Sequence, residues 1–189
     1  MGGSDTIAAD SAGGHEDESP QIGCAELTVG DSRWDSLAEF KALIPNLVKE
    51  ALFEARLLPQ AHFVSVALLS DAESRTLNRQ FRGKDAATNV LSFPAAISYF
   101  PKAERNAPVF LGDIALAYET VAREASEQQK APEHHAAHLV VHGVLHLAGF
   151  AHDDDREAER MEAAEKAVLE RFRIPDPYSE TTLNPAMGL

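Results

Sequence analysis

Three histidines in the C-terminal half of the chain have the spacing of metal ligands. The segment reads His142-Gly-Val-Leu-His146-Leu-Ala-Gly149-Phe-Ala-His152. Histidines four residues apart lie one turn apart on the same face of a helix, so both imidazoles reach one ion. Gly149 favours a left-handed conformation that ends the helix and reverses the chain. The segment therefore predicts a metal site whose ligands are His142, His146 and His152.

Three protein ligands leave one tetrahedral position for water or substrate, which is typical of catalytic rather than structural zinc. Imidazoles suit zinc well, so we expect one Zn²⁺ per chain, although the spacing alone also fits other first-row metals. An alternative pair, His138 with His142, has no glycine and histidine at the matching distance. We expect His138 to pack beside the site or contact a ligand, and His134 and His135 to lie at the surface.

The spacing matches the long zinc-peptidase motif HExxHxxGxxH with one difference. Gly143 stands where those peptidases carry the glutamate that acts as general base. Water activation must then come from the metal, another residue or a phosphate of the substrate. This counts against ordinary peptide hydrolysis. A peptidase or amidase with a replacement carboxylate stays open as an alternative, as does a non-catalytic protein with structural zinc.

A basic segment lies earlier in the chain and contains Arg75, Arg79, Arg82 and Lys84. Composition alone favours solvated helix-surface charges partly paired with neighbouring acids. Arg82 differs from the others because it adjoins Gly83, where a loop can bring its guanidinium to a phosphate. A planar, permanently charged fork suits bidentate binding of phosphate.

Two segments resemble the YbeY family, bacterial metal-dependent endoribonucleases that mature ribosomal RNA. One is the histidine segment, and the other is Leu77-Asn-Arg-Gln-Phe-Arg-Gly-Lys-Asp-Ala-Ala-Thr-Asn-Val-Leu-Ser-Phe-Pro94. Leu111-Gly-Asp-Ile and Asp176-Pro-Tyr178 also resemble family patterns. The similarity spans about residues 63–178, nearly the whole of the expected folded body.

The resemblance implies zinc held by the three histidines and catalytic roles for Arg82, His142 and His146. It assigns phosphate or RNA contacts to Arg82 and Lys84. The implied activity is single-strand-specific cleavage of ribosomal RNA, notably at the 3′ end of the small-subunit RNA, with a role in ribosome quality control. The implied partners are ribosomal RNA and the ribosomal small subunit or its proteins. The sequence leaves the product ends and the oligomeric state open, and a non-catalytic ribosome-assembly factor with structural zinc stays an alternative.

The chain departs from the family before the last histidine, where Phe150-Ala151 replaces the usual Tyr-Asp. This removes a carboxylate, for which the acids at 153–155 are possible substitutes. Asp113, inside an apolar run, is a candidate acceptor for a ligand histidine. Polar residues of the second segment, Thr88, Asn89 and Ser92, are expected to serve turn and strand-edge hydrogen bonds.

The hydrophobic periodicity predicts an α+β domain in which a small mixed β-sheet packs with several α-helices. The metal site would lie at the end of a central helix. Residues 1–22 form an acidic segment expected to be disordered, residues 23–180 the folded domain and 181–189 a C-terminal tail. We expect helices at 34–58 (with a kink or break at Pro45), 71–81, 119–129, 132–148 and 155–172, and strands at 62–69, 88–93 and 109–117 with an interruption at Gly112-Asp113.

Composition limits the possible classes of protein. The 189-residue chain carries a net charge of −13, and its first 32 residues hold seven acids and no Lys or Arg. An acidic protein still binds RNA through a local basic patch, but long-range steering is weak. The acids between 153 and 170 are expected to form a solvated helix face. No secretory signal or run of about 20 apolar residues is present, and the single Cys24 excludes an internal disulfide, so we expect a cytoplasmic protein.

Overall fold

The computed structural model describes residues 24–57, 62–95, 109–151 and 154–179. The predicted tails at 1–22 and 181–189 lie outside the described residues. Within these ranges the chain forms four strands, one 3₁₀ helix and five α-helices. Their order is β1 (Cys24–Val29), the 3₁₀ helix (Ser32–Leu37), α1 (Ala38–Glu54), β2 (His62–Leu69), α2 (Asp71–Arg82), β3 (Val90–Pro94), β4 (Val109–Ala117), α3 (Tyr118–Glu127), α4 (Pro132–Leu147) and α5 (Asp155–Arg171).

The four strands form one mixed sheet in the order β1-β2-β4-β3. β1 and β4 are parallel to β2, and β3 is antiparallel to β4 at the edge of the sheet. Residues of β2 alternate between buried and partly exposed, and Val64, Val66 and Leu68 are fully buried in the core. The predicted α+β fold with a small mixed sheet is confirmed.

Helix α4 is the central helix, as predicted, and packs against α1, α5 and the sheet. It begins with Pro132, whose missing N–H costs nothing in the first turn. Its buried side chains include Val140, Val141, Val144 and Leu145. A helix that is apolar on most sides must be covered on most sides, so only one narrow face of α4 is left for polar residues.

Helix α2 has strong signals at both ends, and the predicted helix at 71–81 is confirmed, with Arg82 as one further residue. The Ser70 side chain accepts a hydrogen bond from the Glu73 backbone N–H, and Glu73 accepts one from the Ser70 backbone N–H. Gly83 follows the last helical residue, Arg82, with φ of +69°. The first cap fixes where α2 begins, and Gly83 fixes where it ends. The position of Arg82, the last helical residue, follows from the second cap.

The structure corrects the prediction for the segment 34–58. Residues Ser32–Leu37 form a 3₁₀ helix, in which the buried Trp34 donates its Nε1–H to Leu69 O at 3.0 Å. Helix α1 then continues through Pro45, so of the predicted kink or break the break is wrong. Ile44 and Leu47 on either side of the proline are fully buried, and burial of this kind outweighs the lost hydrogen bond.

Strand β1 was not predicted at all. It pairs in parallel with β2 along its whole length, from Cys24 opposite Phe63 to Val29 opposite Leu68. Leu27 and Val29 remain more than a third exposed, so the strand lacks the buried alternation from which strands are recognised in a sequence.

The predicted interruption of β4 is a β-bulge within a continuous strand. Phe110 pairs with Phe63 and Gly112 with Val64, so Leu111 is the extra residue. Gly112 has φ of +143°, a conformation that residues with a Cβ rarely adopt. None of the helices in the described ranges is long and apolar enough to cross a bilayer.

Gly112→Ala is expected to destabilise the protein by about 3 kcal/mol, because strain and overpacking act together. A Cβ at this position would lie 2.2 Å from Phe93 O. The matched control is Gly83→Ala, where φ is also positive but nothing lies within 4 Å of the added Cβ. That variant should lose only about 1 kcal/mol. Urea unfolding measures the free energy of unfolding of both variants. Equal losses of stability would contradict the close approach of Gly112 to Phe93 O.

Candidate metal centre and cleft

His142 and His146 lie side by side on the polar face of α4. Their ring centroids are 4.5 Å apart and the ring planes are inclined at 82°. The helix ends at Leu147, and Gly149 takes φ of +90°, which confirms the predicted helix end and left-handed glycine. His152, the expected third ligand, lies outside the described residues.

The hydrogen bonds of these two histidines define their tautomers. His142 Nδ1 lies 2.7 Å from Glu165 Oε1, and His146 Nδ1 lies 3.0 Å from Phe150 O. A carboxylate and a carbonyl only accept hydrogen bonds, so each Nδ1 carries the proton and donates it. Each Nε2 then carries the lone pair that a metal requires. The described donor set therefore fits a metal ion bound through the two Nε2 atoms.

Glu165, on α5, is the functional residue that sequence reasoning missed. It was expected on a solvated helix face, but its side chain is 0% exposed. It accepts hydrogen bonds from His138, His142 and the Tyr178 hydroxyl. Burial raises the pKa of this carboxyl, but the hydrogen bonds from the two histidines outweigh burial and lower the pKa to about 2. The group is thus an ionised acceptor at neutral pH.

The sequence did contain a signal for Glu165. The buried residues of α5 are Met161, Ala164, Val168 and Leu169, and Glu165 falls within this apolar stripe. An acid on the apolar face of an amphipathic helix is buried and must be paired.

The side chains of His138, His142 and Glu165 form a cluster that could hold a metal ion, with donor atoms within 4.8 Å of one another. His138 Nε2 lies 2.9 Å from Glu165 Oε2. Zinc ligands at 2.0–2.1 Å in a tetrahedron lie roughly 3.3 Å apart, so the observed separations of 2.7 and 2.9 Å are those of hydrogen bonds. This cluster is better described as a hydrogen-bonded support behind His142.

His135 was expected at the surface and is instead buried, with 5% of its area exposed. Its Nε2 lies 2.9 Å from Glu124 Oε2 on α3. Burial lowers the pKa of His135 in spite of this carboxylate. His134 is partly exposed. His135 thus ties α4 to α3 about three turns before His146, on the same side of the helix.

A cleft of about 430 Å³ opens beside the two histidines, between α4 and the edge strand β3. Arg82 borders it and donates a hydrogen bond from Nη2 to Ser92 O at 3.2 Å. Lys84 is exposed and does not line the cleft, and Asp113 is exposed as well. The lining residues are Arg82, Asn89, Val90, Ser92, Pro94, His142, His146 and Leu147.

The glycine that replaces the peptidase glutamate has a structural reason. Gly143 faces the sheet, where an added Cβ would lie 3.0 Å from Ile114 and 3.1 Å from the Ser92 hydroxyl. A glutamate at this position would have to displace Ile114 and Ser92. The residues that line the cleft in the described part of the chain include no Asp or Glu, so nothing there supplies the replacement carboxylate that the peptidase alternative needs.

One cleft thus contains two histidines able to bind a metal and one arginine able to bind a phosphate. This combination is typical of metal-dependent hydrolases that act on phosphate esters. Comparisons with known proteins agree with this class. The sequence profile of the family described as Endoribonuclease YbeY matches residues 29–173.

Curated relatives named Endoribonuclease YbeY extend the match. The relative from Chelativorans sp. (strain BNC1) is 55% identical over 154 residues, which cover 82% of this chain and 92% of the relative. The relative from Bradyrhizobium diazoefficiens is 44% identical over 161 residues, covering 85% and 88%. A solution structure of a Thermotoga maritima protein aligns with a TM-score of 0.52 and 26% identity, covering 87% of this chain and 100% of that one. The chain belongs to the YbeY endoribonuclease family, which confirms the resemblance and the expectation of an RNA hydrolase.

Glu165→Ala should destabilise the metal-free protein by about 3 kcal/mol, because His138, His142 and Tyr178 lose their shared acceptor. Glu170→Ala on the same helix is the control, since Glu170 is exposed and should change stability by less than about 0.5 kcal/mol. Unfolding is measured with a chelator present, so that bound metal does not contribute. Equal stabilities of the two variants would show that the Glu165 network contributes nothing to the fold.

Proposed function

We propose that this protein is a zinc-dependent endoribonuclease that cleaves single-stranded RNA during maturation of the small-subunit ribosomal RNA 3′ end and in ribosome quality control. The observation that supports it best is the shared cleft, in which Arg82 borders the same cavity as His142 and His146. The proposed place of action is the cytoplasm, with the ribosomal small subunit or its proteins as partners.

In this proposal His142, His146 and His152 hold one Zn²⁺. The Nδ1–H bonds to Glu165 and to Phe150 O orient the first two rings and keep Nε2 as the donor atom. When bound, zinc supplies Lewis acidity toward a phosphoryl oxygen and lowers the pKa of water.

Arg82 holds the scissile phosphate in the proposed complex. Its Nη2 contact with Ser92 O keeps the guanidinium at the mouth of the cleft, where the remaining N–H groups can take two phosphate oxygens. The fork also stabilises the charge that builds on phosphorus in the transition state. Lys84, exposed in the loop after α2, adds a positive charge for the RNA backbone.

The shape of the cleft favours a single strand. A cavity of about 430 Å³ holds one nucleotide-sized group, as small-molecule sites of similar volume do. Bases of single-stranded RNA can be splayed apart to place one phosphate against the histidines, whereas a stacked duplex resists such separation.

His146→Ala should lower the zinc content of the untagged protein from about one ion per chain to nearly none, because one of three ligands is lost. His134→Ala is the matched control, since His134 lies on the same helix but does not line the cleft. Elemental analysis after dialysis measures both. Wild-type protein without bound metal, or a His146→Ala variant with full occupancy, would contradict the ligand set.

Arg82→Ala should lower kcat/KM for cleavage of single-stranded RNA by roughly a hundredfold or more, with Arg82→Lys in between because it keeps the charge without the fork. Lys49→Ala serves as the control, because Lys49 is an exposed cation on α1 and does not line the cleft. The assay compares metal-loaded protein on single-stranded and duplex RNA and maps the product ends. A metal-loaded wild type that cuts no RNA, even with ribosomes present, would refute the proposed function.

A further inference from the structure

Phe81 is an aromatic side chain on the surface next to the cleft. It precedes Arg82 at the end of α2, and 59% of its surface is exposed. No other large apolar side chain in the described part of the chain is as exposed. One side of it contacts Phe93 on β3, with ring centroids 5.1 Å apart and planes inclined at 57°. Burial of Phe81 against the core does not explain this position, because more than half of the side chain remains in water.

The strand β3 places this aromatic pair close to the cleft. Alternate residues of a strand point to opposite faces, and Ser92 and Pro94 line the cleft while Phe93 contacts Phe81. Only the backbone of one edge strand therefore separates the aromatic pair from the cleft. Arg82 crosses this edge, because its guanidinium reaches the backbone carbonyl of Ser92.

The charges at this corner suit a polyanion in spite of the net charge of −13. Arg79, Arg82 and Lys84 are all exposed within six residues of sequence. The nearby carboxylate of Asp85 forms an ion pair with Arg75 at 2.7 Å, which reduces its repulsion of phosphate. A basic surface beside an exposed aromatic ring is the combination by which proteins bind single-stranded nucleic acid.

We propose that Phe81, supported by Phe93, is a base-stacking subsite that binds a nucleobase of single-stranded RNA adjoining the phosphate held by Arg82. The inference rests on the proposed function and adds a substrate contact to it. Every base has a π-face, so the subsite accepts any of the four bases and recognises the unpaired state rather than the sequence. Phe93 limits the movement of the Phe81 ring and so reduces the entropy lost on binding.

The test is equilibrium binding of the full chain to a fluorescent single-stranded RNA oligonucleotide, with metal chelated so that nothing is cut. Stacking on one aromatic side chain corresponds to a loss of roughly 5- to 150-fold on alanine substitution. Phe81→Ala should weaken binding within that range, Phe81→Trp should retain it, and Phe81→Leu should lose most of it. Phe53→Ala is the control, because Phe53 is 56% exposed on α1 and does not line the cleft.

Abasic nucleotides separate stacking from a general loss of structure. An oligonucleotide with one abasic position, moved along the strand, should bind wild type more weakly at one or two positions by a similar factor. In Phe81→Ala the same abasic positions should make no further difference, because the partner of the base is already absent. Such non-additivity identifies a direct contact.

The outcomes distinguish this inference from the proposed function. If Phe81→Ala binds and cleaves as wild type does, or if the abasic effects are unchanged in it, the subsite is refuted while the endoribonuclease proposal stands. If wild-type protein neither binds nor cleaves single-stranded RNA, the two proposals fail together.

Discussion

A single buried carboxylate holds the candidate site together. Glu165 is fully enclosed, and an ion in that position is costly by several kcal/mol unless hydrogen bonds replace its water. His138 and His142 from α4 and Tyr178 from the C-terminal segment supply those bonds. Helix α5 and the chain after it must therefore stay aligned with α4, because any slip would leave the carboxylate buried without partners. The orientation of the His142 ring follows from this requirement.

The close packing of α4 against the sheet, at a residue adjoining the histidine face, imposes a second constraint. Gly143 approaches Ile114 and Ser92 so closely that an added Cβ would contact both within 3.1 Å. This close approach brings the histidine face of the helix beside strand β3, and the cleft is the space that remains between them. Arg82 enters the cleft from a third element, α2, whose end is fixed by Gly83. Three independently fixed elements therefore converge on one cavity, which is how a rigid site is built from short segments.

The sequence predicted the features that depend on neighbouring residues. The extent of α2, the left-handed Gly149 after α4 and the strand β2 were predicted from local signals, and each was confirmed. The features that were missed depend on distant partners. Glu165 is buried because histidines on another helix pair with it, and His135 is buried against Glu124 of α3. β1 is a strand because β2 offers it an edge, and α1 passes through Pro45 because its neighbours are buried. No periodicity within a short window contains that information.

The overall charge of this protein is unusual for a family that acts on RNA, and the two proposals together account for it. With a net charge of −13, long-range attraction for a polyanion is weak, so RNA association gains little from electrostatic steering. Some of the cations also form ion pairs within the protein and so attract RNA less. Arg171 pairs with Glu50 and Glu54 at 2.6 and 2.7 Å, and Arg75 pairs with Asp85. In the proposed complex, affinity comes instead from short-range contacts at the corner where α2 meets β3. Short-range contacts depend on the shape and strandedness of RNA far more than on its charge. A ribonuclease with an acidic surface therefore associates with RNA more slowly, but it discriminates better between RNA structures.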